Sequence, residues 1–387
     1  MEYLNSLSSD VTEIDIKWKN LSILPDLSRF TCLQKLDCSH NQLIRLDNLP
    51  SSLIELYCYY NRITQLDKLP SSLQILECLH NQLTILDNLP SSLQKLDCSG
   101  NQITQLDNLP SSLQILDCSY NQLIQLDNLP SLQILYCRNN RLTRLDNLPI
   151  SLQKLNCVSN QLIVLNNLPK FLQELVCSYN QLSQLDNLPF SLLDLYCSHN
   201  RLLQLNNLPY SLQNLDCDNN NLTQLDNLPF SLTRLNCSIN QLTKLDNLPH
   251  SLRNLSCSFN KLIQLDKLPS SLQILGCSYN QLIQLDNLPY SLKKLYCHDN
   301  QILQLNNLPY LLKYLECSNN KMENNNLEYW KEQTKNKKLK LLKEKISARK
   351  IQNIWRKYWY DIYKYELIDG EYIGFCRFIE RSYSMLS

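Results

Sequence analysis

Cysteine offers this chain the widest choice of chemistry, because a thiol can bind metal, form a disulfide or act as a nucleophile. The chain has seventeen cysteines among its 387 residues. Zinc sites need close pairs such as C-x-x-C, and the sequence contains no such pair. Fifteen cysteines instead recur singly from Cys38 to Cys317, 20 positions apart except for one step of 19. This spacing indicates a small apolar residue that fills one core position, in a reducing compartment.

The remaining candidates for catalysis lack partners. Cys376 has no neighbouring His or paired acid that could activate its thiol. The chain's 5 histidines lie on the repeats or a spacer and form no pair of base and nucleophile, and 4 glycines leave no Gly-rich phosphate loop. We therefore expect no enzyme activity and no cofactor.

The cysteines belong to a repeat, which must position them. Residues 33–50 read L-x-x-L-x-C-x-x-N-x-L-x-x-L-D-N-L-P, followed by two spacer residues, and the pattern occurs 15 times over residues 33–322. An imperfect earlier copy carries Lys19 where Asn belongs. The sequence thus predicts an N-terminal cap over residues 1–32, a repeat array over 33–322 and a separate tail over 323–387.

Each repeat predicts one short strand, because the residues around Leu36 and Cys38 alternate between apolar and polar. One such strand cannot bury its apolar face alone, whereas fifteen stacked in parallel can share a core. The predicted core consists of the equivalents of Leu33, Leu36, Cys38, Leu43, Leu46 and Leu49. Pro50 and its counterparts favour extended chain on the opposite side.

The pattern L-x-x-L-x-C-x-x-N-x-L resembles the signature of leucine-rich repeats, in a short variety of 20 residues. The resemblance implies an α/β repeat solenoid: a horseshoe with a parallel sheet on its concave face, an extended convex side and a C-terminal helical cap or tail. The repeats, with a tail reading A-R-K-I-Q-N-I-W-R over residues 348–356, resemble leucine-rich-repeat proteins of giant amoeba-infecting viruses. The Leu-Pro repeats are also similar to those of secreted bacterial effectors.

Two polar positions of the repeat suggest backbone roles. Asn41 and its equivalents fall where the chain leaves the strand, and a carboxamide can both donate to and accept from buried backbone groups. Asp47 and its equivalents are replaced by Asn in three copies, which suggests an acceptor for turn N–H groups. A ladder of carboxylates that binds calcium is the alternative.

Binding is expected on the outward strand positions, because these vary between copies while packing keeps the core positions constant. Tyrosine is a common interface anchor, although it also tolerates exposed strands. The sequence predicts a patch in the first third of the array and further anchors along it: Tyr57, Tyr59, Tyr60, Tyr120, Tyr136, Tyr196 and Tyr296. Interspersed Lys and Asp favour a protein partner over nucleic acid.

The tail differs from the array in composition. Residues 321–387 contain 15 Lys and Arg against 9 Asp and Glu, and residues 327–366 lack Gly and Pro, which predicts one or two basic helices. An apolar face there could cap the last repeat. Ile351, Gln352 and Arg356 are instead similar to the first half of the IQ motif of calmodulin-binding proteins, with Trp355 and Trp359 beside them. Lys357 and Asp361 depart from the second half of that motif.

Three hypotheses follow for function. The first is a non-enzymatic scaffold that holds a protein partner, such as a host protein, on the concave surface. The second is an adaptor that binds a calmodulin-like protein through residues 346–366. The third, a ubiquitin-ligase-type effector, rests on Cys376 alone. No secretory signal and no membrane-spanning run is visible in the sequence, so we expect an intracellular protein, in the host cytoplasm if it is viral.

Overall fold

The three-residue strands predicted by the repeat are present in a computed structural model of the chain. It describes the backbone of residues 2–322, 324 and 326–365, and most of the side chains as far as Asn353. The chain divides into two compact units at Leu327 and Glu328. Within the described residues, no helix is both long and apolar enough to cross a bilayer.

The first unit contains a short helix, α1 (Glu2–Ser6), and one parallel sheet of sixteen strands. Every strand pairs with its sequence neighbour, so the sheet order is the chain order. The strands are β1 (Glu13–Asp15), β2 (Lys35–Asp37), β3 (Glu55–Tyr57), β4 (Ile75–Glu77), β5 (Lys95–Asp97), β6 (Ile115–Asp117), β7 (Ile134–Tyr136), β8 (Lys154–Asn156), β9 (Glu174–Val176), β10 (Asp194–Tyr196), β11 (Asn214–Asp216), β12 (Arg234–Asn236), β13 (Asn254–Ser256), β14 (Ile274–Gly276), β15 (Lys294–Tyr296) and β16 (Tyr314–Glu316).

Equivalent residues of successive repeats pair with each other along the whole sheet. The central leucine of each strand pairs with the central leucine of the next, as Leu36 does with Leu56. These leucines point into the solenoid, and the two residues that flank each of them face outward. The imperfect first copy supplies β1, whose Ile14 is fully buried. The predicted solenoid is therefore confirmed, with one strand more than the fifteen repeats of the array.

The cysteine position lies inside this stack, as predicted. Cys38 and its fourteen equivalents are buried and form no disulfide bond, while Cys32 is exposed. Burial raises the pKa of the Cys157 and Cys257 thiols to about 12. The described residues contain no group of three or more His, Cys, Asp or Glu side chains that could hold a metal ion.

The Leu49 position belongs to the core in only part of the array. Leu49 and its equivalents in the first seven repeats are partly exposed, whereas Leu188 and Leu208 are 7% exposed. The residue after proline also differs: it is serine in the first five repeats, Ile150 and Lys170 in the next two, and Phe190 or Tyr210 where the leucine is buried. Leu268, which precedes Pro269 and Ser270, is again partly exposed. Burial of this leucine therefore accompanies an aromatic residue after the proline.

The repeat asparagine satisfies backbone groups on two neighbouring coils. The Nδ2 group of Asn180 donates to the carbonyl oxygens of Cys157 and Cys177, at 3.0 and 3.1 Å. Its Oδ1 accepts from the N–H of Leu162 at 3.0 Å. The same bonds recur from Asn41 to Asn320. The predicted backbone role is confirmed.

The prediction for the Asp47 position was wrong. In the described residues, no backbone N–H donates to these carboxylates; Asp47 instead pairs with Arg45 at 2.7 Å, and Asp67 accepts from Gln65 at 2.7 Å. The turn closes through Asn48, which adopts a left-handed conformation with φ of 53°. Asparagine adopts this conformation more readily than most residues, so the turn needs no side-chain acceptor.

We call Asn41 and its equivalents the asparagine ladder. In every repeat the residue before the ladder asparagine also has a left-handed conformation, and some of the residues found there are poorly suited to this conformation. Ile239 has φ of 50° there, and a β-branched residue in this region is strained. Asn219 occupies the same position one repeat earlier. We expect Ile239→Asn to raise the free energy of unfolding by roughly 1 kcal/mol.

Urea unfolding followed by circular dichroism measures this gain. The control is Ile263→Asn, which makes the same exchange at an exposed isoleucine of the next repeat that has no positive φ. A gain of the same size in both variants would show that relief of backbone strain is not the cause.

The second unit is described by its helix α2 (Leu327–Tyr365), which is 39 residues long. The sequence predicted one or two helices here, and a single continuous helix is present. The extent of the predicted domains and the capping role of this helix stay predictions.

Candidate binding surface

The outward strand positions form a continuous surface, which we call the sheet face: the residues on either side of each central leucine, and the two residues that lead from the cysteine to the asparagine. Backbone register places equivalent residues of successive repeats side by side on it, as Asp37 and Tyr57 are. Strand neighbours lie about 4.8 Å apart. A side chain on this face therefore contacts its counterparts one repeat away more readily than anything else.

Aromatic rings stack along one edge of the sheet face at its N-terminal end. Trp18, His40, Tyr60 and His80 occupy the same left-handed position in successive coils. Their ring centroids are separated by 3.8, 4.7 and 4.5 Å, and the planes are nearly parallel. We call these four residues the aromatic column. Sequence reasoning noted His40 and Tyr60 at one position but missed the stack and Trp18, which is 70% exposed.

The column ends at Gly100, which carries no ring. A Cβ atom on Gly100 would lie 2.6 Å from Nδ1 of His80, so a side chain there would require this ring to move. Gly100 also has φ of 64°. Tyr120, one repeat further, is 47% exposed and contacts the Arg138 guanidinium, which lies 4.9 Å from its ring centroid.

The predicted tyrosine patch of the first third is therefore only partly assembled. Tyr59 lies at the edge of the column, 6.1 Å from Tyr60 between ring centroids. Tyr57 is half-buried, and its hydroxyl donates to Glu55 Oε2 at 2.9 Å. Tyr120 is separated from Tyr60 by two coils, at His80 and Gly100. The prediction placed these residues in one cluster, but Tyr120 lies three repeats beyond Tyr60, at about 4.8 Å per repeat.

The other predicted tyrosines lie on strands of the sheet face. Tyr136 is the last residue of β7 and pairs in register with Asp117. Tyr196 is the last residue of β10 and is half-buried, and burial raises the pKa of its hydroxyl. Tyr296 of β15 lies 5.0 Å from Tyr314 of β16 between ring centroids. These residues are accessible but do not form one patch.

Partly buried carboxylates alternate with the tyrosines. Burial raises the pKa of Asp117 and that of Asp216, and the neighbouring Asp97 and Asp218 act in the same direction on each. The Ser119 N–H donates to Asp117 Oδ1 at 2.9 Å, and this hydrogen bond opposes the shift. These two carboxylates are partly shielded from water. A cationic group of a partner would therefore bind them through a charge-assisted hydrogen bond.

The tail residues proposed for binding lie on helix α2. Ile351 is 55% exposed, and Gln352 is beside it. The side chains of Trp355, Arg356 and Trp359 lie outside the described residues, as does the whole of Cys376. The IQ-like segment and the ligase hypothesis therefore stay predictions.

Comparison with solved structures extends these observations. YopM from Yersinia enterocolitica is 37% identical to this chain, with a TM-score of 0.73; the match covers 80% of this chain and 74% of YopM. The chain is a leucine-rich-repeat protein. YopM from Yersinia pestis, described as a leucine-rich effector protein, is 34% identical with a TM-score of 0.62, and the match covers 81% of this chain and 84% of that one.

A third similar structure is that of a protein that also contains a series of cysteines. The functional domain of InlJ from Listeria monocytogenes, which includes a cysteine ladder, is 27% identical to this chain with a TM-score of 0.58. That match covers 76% of this chain and 69% of InlJ. No protein-family model and no curated protein sequence matches the chain. The predicted relation to giant-virus proteins stays a prediction.

Proposed function

We propose that this leucine-rich-repeat protein is a non-enzymatic scaffold that binds a protein partner on the sheet face. The proposal rests chiefly on the contrast between positions. Leucine, isoleucine and cysteine fill the core of every coil, while the sheet face varies from repeat to repeat and carries exposed aromatic rings. A surface that varies between repeats while the core stays constant is typical of a surface that is specialised for recognition.

The aromatic column is the strongest anchor on this surface. Its rings are held by stacking before any partner arrives, so little side-chain entropy is lost on binding. Trp18 and Tyr60 remain 70% and 48% exposed. Rings of this kind, buried at the centre of an interface, are the residues that contribute most to affinity. The similarity to effector proteins of pathogenic bacteria supports a host protein as the partner.

The test removes the two central rings of the column and the adjacent Tyr59, with residues that other repeats already use. Tyr60→Asn and His40→Asn place asparagine where Asn139 and Asn219 stand, in the same left-handed conformation. Tyr59→Ser matches Ser99. This triple variant is expected to fold and to lose partner capture from a host lysate by at least roughly tenfold.

The control variant, Tyr210→Ser with Phe230→Ser, removes exposed aromatic residues that lie outside the sheet face. It should capture the same partners as the natural chain. Equal capture by the triple variant and by this control would contradict a role for the column. Loss of capture in both would point to non-specific hydrophobic binding.

A further inference from the structure

A second row of aromatic rings lies outside the sheet face, in the later repeats. It consists of the residues that directly follow proline: Phe190, Tyr210, Phe230, Tyr290 and Tyr310, which are 84%, 80%, 80%, 81% and 90% exposed. We call them the aromatic stripe. In the early repeats serine occupies this position. Two repeats between Phe230 and Tyr290 carry His250 and Ser270 at this position, so the stripe consists of a group of three rings and a group of two. Rings with this exposure are unusual on a free surface and mark an interaction site.

The backbone beneath the first three rings is fixed by the serine of the next repeat. Ser211 Oγ donates to the carbonyl oxygens of Phe190 and Leu192 at 2.6 and 2.7 Å. Ser231 makes the same pair of bonds, to Tyr210 and Leu212, and Ser251 makes them to Phe230 and Leu232. After Tyr290, Leu311 takes the place of this serine. At the first three rings the carbonyl groups are therefore satisfied, and a partner meets the rings themselves.

Charges of opposite sign lie on the two sides of the stripe. In one repeat the chain passes from Asp286 through Tyr290 to Lys293 and Lys294, all of which are exposed. On the strand side, beside the later rings, five residues form a cation row: Arg234, Arg253, Lys293, Lys294 and Lys313. Beside Phe190 this position carries Asp194, so the row begins only after Tyr210. None of these five pairs with a carboxylate among the described residues.

On the convex side, Asp226, Asp266 and Asp286 form an anion row, which Lys267 partly offsets. A fourth aspartate at this position, Asp246, pairs with Lys244 at 3.5 Å.

We propose that the aromatic stripe is the contact surface of a homodimer, in which a second copy of this chain is the partner. A two-fold axis parallel to the stripe brings ring against ring. It also lays the cation row of each copy over the anion row of the other, which makes the surface self-complementary. A membrane with anionic lipids or a nucleic acid is negative throughout and would be repelled by the anion row. A second copy of this chain carries both rows, so that each cation row faces an anion row.

The area available is sufficient for such a contact. Burying the five rings removes roughly 150 Å² each, or about 750 Å² per copy. Stable protein interfaces bury about 800 Å² per partner. The charged rows on both sides supply the remaining contact and the polar rim that such interfaces have.

The first test measures self-association of the full chain by sedimentation velocity. The stripe variant carries Phe230→Ser, Tyr290→Ser and Tyr310→Ser, each the residue that early repeats have at this position, so the coil should fold unchanged. We expect a dimer in the natural chain and a rise in its Kd of roughly 100-fold or more in the variant. The control, Phe259→Ser with Tyr279→Ser, removes stacked rings from the opposite edge of the sheet and should leave the Kd unchanged.

The second test exchanges the charges. In the proposed dimer Asp286 of one copy faces Lys293 and Lys294 of the other. Asp286→Lys alone, or Lys293→Glu with Lys294→Glu, places like charges opposite each other and should weaken the dimer. The combined three-residue variant should recover it.

A natural chain that stays monomeric at about 100 μM, or a combined variant no tighter than its components, would overturn the proposal. Binding of the monomer to phosphatidylserine vesicles through the stripe would overturn it in favour of a lipid partner.

Discussion

The protein should unfold steeply in mild alkali, because its core holds fifteen thiols that must stay protonated. We call Cys38 and its fourteen equivalents the ladder cysteines. Burial raises the pKa of every ladder cysteine, to about 12 at Cys157 and about 11 at Cys317. In the unfolded chain the thiols ionise near pH 9. The stabilising effect of a raised pKa is complete below that value and disappears as the pH rises toward the folded-state pKa.

The expected magnitude follows from proton linkage. Above pH 9, each ladder thiol lowers the free energy of unfolding by about 1.4 kcal/mol per pH unit. Fifteen such thiols together would exceed the 5–15 kcal/mol that typically stabilises a folded domain before about pH 10 is reached. Buried lysines or histidines, which could act in the opposite direction, are absent from the described core.

Urea titrations between pH 7 and 9.5 in the presence of a non-thiol reductant measure this effect. A triple variant, Cys137→Val, Cys157→Val and Cys177→Val, keeps the core apolar and removes three of the fifteen thiols. Its stability should fall less steeply with pH than that of the natural chain, by about one fifth. An unfolding midpoint that is the same at pH 7 and pH 9.5 in the natural chain would show that the ladder thiols are not buried in the native state.

The solenoid was predictable because its information is local and repeated. The alternation around Leu36 and Cys38 predicts one strand per repeat, and the constant period predicts the stack. The role of Asn41 followed from the need to satisfy buried backbone groups. The Asp47 role could not be found in the same way, because the turn depends on the φ angle of Asn48 and not on an acceptor.

The candidate sites were less predictable, because they depend on contacts between repeats. In the linear sequence, Tyr57, Tyr59 and Tyr60 lie close together and suggest a cluster. The structure instead stacks Tyr60 on His40 and His80, which are 20 residues away in either direction. The aromatic stripe did have a signal in the sequence, namely the change from serine to Phe or Tyr after proline. That signal has meaning only once the position after proline is known to be exposed.

The largest effect of a single substitution is expected at the asparagine ladder. In Asn180→Ala, the Leu162 N–H loses its acceptor inside the protein. The carbonyl oxygens of Cys157 and Cys177 keep one donor each, from Asn160 and Asn200 at 3.1 and 3.0 Å. One orphaned N–H and the lost bonds together should cost roughly 3–5 kcal/mol.

A comparison with a second variant isolates the donor function of this carboxamide. Asn180→Asp preserves the acceptor for Leu162 but replaces the Nδ2 donor with an oxygen that faces the Cys157 and Cys177 carbonyl groups. We expect this variant to be less stable than Asn180→Ala at pH 7 and to recover part of the difference at pH 4, where the carboxyl group protonates and can donate. The control is Asn166→Ala, which removes an exposed asparagine of the turn and should change stability by less than about 0.5 kcal/mol. Equal losses in Asn180→Ala and Asn166→Ala would mean that the ladder bonds do not hold the coils together.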